Sequence, residues 1–457
     1  MPNLKNYSIH ARNLPAGANR TVRKQLNADA IFAMIKDDLK KVPDTRARNT
    51  RIALDDIFMS ALAMFHLKDP SLLQFDQRRW EEPENLHTLY GIKKIPSDSQ
   101  MRAALAPQDP GFLRVPFATV HRLLQRGNEL EKMTFLDGHY LLSADGTGFF
   151  SSEAVSSPLC QVKKRRDGTL VYELHMFAAA FVNPHNNIVI PVCPEIIHRQ
   201  DGSKKNDCER NAAKRFFEHF REDHPFLKVI VVEDGLSSNG PHIRELKRNG
   251  FRFILGAKPG DHVSLFTAVN KAAAEGRVSE YHHIDPRNRK KVLFYRFYNN
   301  VPLNDSHPDL LVNFLECVEV GKDEKIRTFS WVTDLPLTID NVEEIALAGR
   351  TRWRVENEVF NTMKNLGYNL GHNYGMGKQN LPIIFTTLMM LAFLIDQTLE
   401  LGCWLFQAAR TKAVNKRELW ERIRGHFRDY KVDSMETILR AIAFGFERRS
   451  LKEVCVT

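Results

Sequence analysis

The chain predicts an α/β protein: a mixed-sheet core with an inserted β-rich subdomain, an all-helical N-terminal domain and a helical C-terminal region. Three observations lead there. Residues 21–125 carry helix-period apolar spacing and no strand-like run. From Phe135 the pattern changes to short β-rich runs, and then to helices alternating with continuous apolar runs at 229–232 and 251–256. Runs of that kind suit strands buried on both faces, and the alternation suits a sheet covered by helices. After a second β-rich stretch, helix spacing resumes at Asn341 and continues nearly to the C-terminus.

Taken in order, the first twenty residues are rich in Asn, Pro, Gly and Arg and predict an extended start. Leu26, Ile31, Ile35 and Leu39 mark one amphipathic helix carrying Lys36, Lys40 and Lys41. Asp55 and Asp56 open a second, with Ile57, Ala61, Met64 and Phe65 inward, and Ser97 with Gln100 reads as a capping box. Residues 1–130 therefore form a helical domain whose basic faces are candidates for binding DNA ends. Residues 140–144 predict a short strand ending at Asp145-Gly146. Residues 171–182 and 188–192 predict a hairpin about Asn183-Pro184-His185-Asn186-Asn187. A helix at 207–220 turns Phe216, Phe217 and Phe220 inward. The strand at 229–232 ends at Glu233-Asp234-Gly235, and a helix at 241–248 leads to the strand at 251–256. The core thus covers 131–260 and 339–380. The insertion, 261–338, has strands at 291–298, 311–320 and 327–332, and 381–457 is helical. The apolar run 381–395 ends at Asp396, short of the roughly 20 residues a spanning helix needs. It predicts a buried helix and no membrane partner.

At 457 residues the chain has room for roughly two to four domains. Its net charge of +10 is spread along the chain, which favours a polyanionic partner, nucleic acid first. The cysteines (Cys160, Cys193, Cys208, Cys317, Cys403, Cys455) are scattered without a CxxC pair. That suggests neither a zinc site nor a disulfide framework, and predicts reduced thiols in a cytoplasmic protein. The N-terminus lacks the apolar core of a signal peptide.

The candidate chemistry lies in three carboxylates: Asp145 and Asp234 at the ends of core strands, and Glu356 on a later helix, four residues after Arg352. Such a set suits Mg²⁺ or Mn²⁺, hard ions that prefer oxygen ligands. Two such ions about 3.5–4 Å apart activate a hydroxyl and stabilise the leaving oxygen of a phosphodiester. Each member has a plainer reading. Asp-Gly after a strand is a turn signal, and Arg352 with Glu356 is an ordinary helix-surface ion pair. Asp137 and Glu233 are rival carboxylates, although Glu233 points to the opposite strand face from Asp234. The argument rests on conjunction and order within a basic chain.

The segment 350–375, RTRWRVENEVFNTMKNLGYNLGHNYG, resembles the signature of DDE transposases of bacterial insertion sequences, in the branch with a β-rich insertion between the second Asp and the Glu. That branch reads Tyr, two residues, Arg, three residues, Glu, six residues, Lys. Arg352 and Glu356 fit, with Trp353 and Val355 as usual neighbours. Gly349 stands where the Tyr belongs, and Lys364 falls one residue late, so Glu358 stays the alternative third ligand although the spacing to Arg352 favours Glu356. SADGTGFF around Asp145, KKNDCERNAAKRFF at 204–217, VVEDGLSSNGPHIREL around Asp234 and FILGAKPGDH at 253–262 look like the same family, so the resemblance covers residues 140–380.

The resemblance implies a ribonuclease-H-like core, two Mg²⁺ or Mn²⁺ ions on Asp145, Asp234 and Glu356, and cleavage and joining of double-stranded DNA at element ends and target. It also implies a homodimer or higher multimer on paired ends, at work on the nucleoid of a bacterial cytoplasm. Arg352 and Lys364 would contact phosphates beside the scissile bond. Lys290 and Lys291 in a basic loop of the insertion would grip the backbone, with salt-dependent binding, and Trp331 is the aromatic expected near the DNA end. The alternatives are a nuclease of the same fold without strand transfer and an inactive DNA-binding descendant.

Overall fold

Helix-period spacing at both ends of the chain and strand-period spacing in its middle sort the chain into two bodies. The computed structural model describes residues 25–198, 205–284, 292–320, 325–377 and 379–445. One unit comprises Met1–Leu130, Phe149–Glu173 and Asn361–Thr457; the other comprises Glu131–Gly148 and Leu174–Phe360.

The first unit is helical. Its described helices are α1 (Ala28–Leu39), α2 (Leu54–His66), α3 (Leu72–Glu81), α4 (Pro83–Tyr90), α5 (Asp98–Leu105) and α6 (Arg114–Arg126) from the N-terminal part. From the C-terminal part come α11 (Asn361–Asn365), α12 (Leu381–Gly402), α13 (Trp404–Lys412), α14 (Lys416–Asp429) and α15 (Met435–Phe444). Asn27 caps α1 through its side chain, and the Ser97–Gln100 capping box opens α5 as its spacing predicts. The expected separate N- and C-terminal helical regions are instead one body. The Asp29 carboxylate accepts from the Met435 amide at 2.7 Å, and the Asn85 amide donates to the Phe427 and Tyr430 carbonyls. Buried α12 packs against α1, α2 and α6. Lys36, expected on a basic face, is buried with its ammonium 2.6 Å from Asp56.

α12 runs past Asp396, where the apolar run of the sequence ends. Over its 22 residues it is long and apolar enough to cross a membrane, yet it is packed inside the unit. Asp396 is tolerated there because Lys68 stands 2.5 Å away and the Tyr368 hydroxyl donates to the same carboxylate oxygen.

In the second unit a mixed sheet carries the site. Its strands are β1 (Thr134–Phe135), β2 (His139–Ser152), β4 (Leu170–Asn183), β5 (Asn186–Pro191), β6 (Glu195–Ile197), β7 (Val229–Glu233), β8 (Arg252–Gly256), β9 (Ser279–Ile284), β10 (Val292–Asn304), β11 (His307–Val320) and β12 (Ile326–Thr333). The order is β4-β2-β7-β8-β12-β11-β10-β9, with β1 on β2 and both β5 and β6 on β4. β3 (Gln161–Lys164) pairs with the first residues of β4, 170–173, in the helical unit. The Asn183 side chain accepts from the His185 amide and sets the expected turn between β4 and β5.

Helices α7 (Lys205–Asp223), α8 (Gly240–Arg248), α9 (Val263–Ala274) and α10 (Val342–Arg350) complete this unit. Phe216, Phe217 and Phe220 of α7 pack edge-on against Phe177 and Phe181 of β4, and Phe251 is met edge-on by Phe220 and at a tilt by Phe217. Two sequence expectations change here. β2 does not turn at Asp145-Gly146 but continues to Ser152. The insertion is not a separate subdomain: β12 pairs antiparallel with β8 through Trp331↔Gly256 and Val332↔Leu255, so its strands extend the core sheet, and it contains the helix α9.

Candidate functional site

The strand register sets two of the three carboxylates side by side. β2 and β7 are parallel neighbours, paired from Tyr140↔Val229 to Ser143↔Val232. Two residues beyond the last pair stand Asp145 and Asp234. Neighbouring strands lie about 4.8 Å apart and side chains repeat every second residue, so both aspartates leave the same face. Beyond β7 the chain turns sharply: the Asp234 carboxylate accepts from the Leu236 amide at 2.9 Å and caps a short 3₁₀ turn, Gly235–Ser237. Gly256 of β8 allows this turn to come close, since a Cβ there would meet the Gly235 nitrogen at 3.0 Å.

The third carboxylate arrives from the segment after α10. The Ser143 hydroxyl donates to the Arg352 carbonyl at 2.7 Å and fastens that segment to β2. A π-helical turn, Val355–Phe360, follows. Arg352 donates to Glu356 at 2.6 Å and stands 3.6 Å from Asp145, while the Asp145 and Glu356 carboxyls are themselves hydrogen-bonded. The Glu358 charge acts instead on Arg354, which is held by Asn187 and the Pro184 carbonyl. Glu356, not Glu358, is thus the glutamate at Asp145.

Two carboxyls in contact cannot both stay ionised cheaply. Burial, then the Glu356 hydrogen bond, push Asp145 up to about 7 against the pull of Arg352. Burial acts on Glu356 in the same sense, but hydrogen bonds from Arg352 and Asp145 outweigh it and hold Glu356 below its ordinary value. Below about 7 the pair therefore holds one proton beside the Arg352 guanidinium.

Among the described residues no three His, Cys, Asp or Glu side chains are gathered as a metal-holding group. The expected trio stands as a contacting pair, Asp145 and Glu356, with Asp234 on the adjacent strand committed to its turn. The donor chemistry still fits a hard cation. All three are oxygen ligands, and a divalent ion could replace the shared proton that the pair needs for charge balance.

One residue that sequence reasoning passed over is Glu209 of α7. Its charge adds to the upward push on Asp145, and a Cβ on Gly146 would sit 2.6 Å from the Glu209 carboxyl carbon. Gly146 leaves the room that Glu209 fills. The rival Glu233 is settled by its partner: it is buried, and its carboxylate lies 2.6 Å from the His242 ring. Burial would lower the His242 pKa, but the Glu233 charge and hydrogen bond raise it overall.

The other expected contacts fare differently. Trp331 is only 5 % exposed, stacked on Phe329 and seated on Gly349, where a Cβ would lie 2.5 Å from the indole. It is a core residue as placed and does not present an aromatic face to DNA. The same contact leaves no room for a larger side chain at Gly349. Lys364 lies exposed on α11 in the helical unit. Lys290 and Lys291 fall outside the described residues.

No protein-family profile matches the chain, and no curated protein matches it. Among solved structures it is similar to a piggyBac transposase, described as a "synaptic complex with hairpin DNA" and determined by cryo-EM. The two share 9 % identity over 96 % of this chain and 85 % of that one, with a TM-score of 0.42. A likeness of that size fixes neither fold family nor function.

Proposed function

We propose that the chain is a DNA transposase of the DDE type, cutting and joining the ends of a bacterial insertion sequence. The observation that carries this reading is the contact between the Asp145 and Glu356 carboxyls beside Arg352, with Asp234 at the matching position of the next parallel strand. The sequence resemblance around these same residues supports it. In this reading β4, β2, β7 and β8 with α7 and α8 form the ribonuclease-H-like core, and Asp145, Asp234 and Glu356 hold Mg²⁺ or Mn²⁺. The bound ions would supply charge stabilisation at the reacting phosphate and lower the pKa of the attacking hydroxyl.

The chain's own groups have separate tasks. Arg352 neutralises the carboxyl pair in the free protein and is placed to meet a backbone phosphate when DNA arrives. Ser143 fixes the Arg352 backbone to β2, and so sets where Glu356 enters the site. Lys364, Lys290 and Lys291 would add backbone contacts. The enzyme would act on paired ends as a homodimer or higher multimer on the nucleoid.

The test is a strand-transfer assay with Mg²⁺ on DNA carrying the element's own ends. Asp145→Asn, Asp234→Asn and Glu356→Gln should each bind the DNA and lose cleavage by at least roughly 10²-fold, the size of removing one charge-stabilising group from an active site. Glu358→Gln should cut. Cleavage without joining by the wild-type protein would point to a nuclease of the same fold, and a Glu356→Gln protein that cuts would remove the site.

A further inference from the structure

The helical unit contains a cavity of about 650 Å³ between α3, residues 365–369 and α14. That volume lies within the range of small-molecule sites. α14 lines it with Arg417, Trp420, Arg424 and Arg428, spaced so that they share one helix face. Most charges around the cavity already have partners. Lys68 is held by Asp396, Arg78 by Asp69 and Glu82, and Arg428 by Asp429, while Glu81 accepts from the Gln77 amide.

Arg417 and Arg424 remain. Among the described residues neither guanidinium makes a hydrogen bond or an ion pair, although Glu421, exposed on the same face, lies between them in sequence. Arg424 is half-buried, and burial pulls its pKa down more than the nearby Asp69 and Glu421 charges raise it. A partly desolvated guanidinium without an acceptor is costly, and a planar fork of donors is best satisfied by a carboxylate or phosphate bound through two oxygens. The amides of Gln74 and Asn369 also line the cavity and can donate to such oxygens. Trp420 is not free to stack on a base, since its ring carries the Lys68 ammonium at 3.9 Å and the His66 edge at 4.9 Å. The cavity therefore favours an anion over an aromatic ligand.

We propose that Arg417 and Arg424 make this cavity a phosphate-binding site, taking either a backbone phosphate of a nucleic-acid strand or the phosphate of a free small molecule. The site is independent of the carboxylate chemistry and requires no cleavage.

The experiment uses the full chain in EDTA, so no cutting occurs and the result does not depend on the carboxylate site. One arm measures binding of a labelled oligonucleotide of arbitrary sequence across a salt series. The other titrates inorganic phosphate by calorimetry. Arg417→Gln/Arg424→Gln should weaken oligonucleotide binding at least ten-fold and flatten the slope of log K against log[salt] by roughly 1 to 2, the loss of one or two phosphate contacts. Arg417→Lys/Arg424→Lys should retain most of the slope. Loss of inorganic phosphate binding alone, with the oligonucleotide unaffected, assigns the site to a free phosphate. Unchanged behaviour in both arms overturns the proposal. Arg417→Glu, at an exposed position, repeats the test where burial cannot disturb folding.

Discussion

Asp145 is the residue on which the site turns, and its ionisation reaches into stability. In the unfolded chain its carboxyl titrates near 3.8, and in the folded protein it is pushed up to about 7. Between those values the folded state binds the extra proton, so the stability contribution is full below 3.8 and is lost as pH rises through 7. Asp145→Asn should therefore raise the melting temperature at pH 8 in EDTA, with the gain shrinking toward pH 4. Millimolar Mg²⁺ should raise the wild-type melting temperature at pH 8 and leave the variant unmoved. Melting curves that coincide at every pH, with and without Mg²⁺, would dismiss the shared proton. Gly349 gives a second residue-scale test. Gly349→Ala drives a methyl into the Trp331 indole and should cost about 1–3 kcal/mol in urea unfolding. Trp331→Phe removes the ring atoms in the way, so the double variant should cost less than the sum of the singles. Additive costs would mean that the two do not touch.

At the scale of elements, α12 illustrates how a helix long enough to span a membrane stays within a protein core. Its Asp396 is buried with Lys68, whose ammonium lies between the Tyr368 and Trp420 rings at 3.8 and 3.9 Å. Burial brings Lys68 down to about 8 and raises Asp396, so each charge depends on the other. Asp396→Leu alone leaves an ammonium buried without its counter-ion and should cost about 3–5 kcal/mol. Lys68→Met with Asp396→Leu should recover much of that loss in chemical denaturation. If the double variant is as unstable as the single, the pair does more than neutralise itself.

For the whole molecule, the decisive feature is that residues from both ends of the chain build one helical unit. α12 lies across α1, α2 and α6, and Asp29 caps the first amides of α15. A fragment of residues 1–130 lacks that buried helix and should show no cooperative thermal transition, although the sequence pattern marks it as a domain. Co-expression with residues 361–457 should restore solubility and a cooperative melt. A cooperative melt from the short fragment alone would restore the separate-domain reading.

Much of the local structure was legible in the sequence because it depends on neighbours in the chain. The periodicity of α1, the capped start of α5, the β4–β5 turn and the inward face of α7 all follow from spacing and turn chemistry. So do the positions of Asp145, Asp234 and Glu356 on their elements, although β2 runs through Asp145-Gly146 where a turn was expected. What the sequence could not state were approaches between distant segments. Glu209 reads as helix-surface charge until Gly146 is found beneath it, and Trp331 reads as a possible DNA contact until Gly349 is found under its ring. Lys36 reads as a basic face until Asp56 closes on it. The insertion looks like a domain until β12 meets β8. Periodicity tells each residue which side of its own element it faces; only the packed chain decides what lies on the other side.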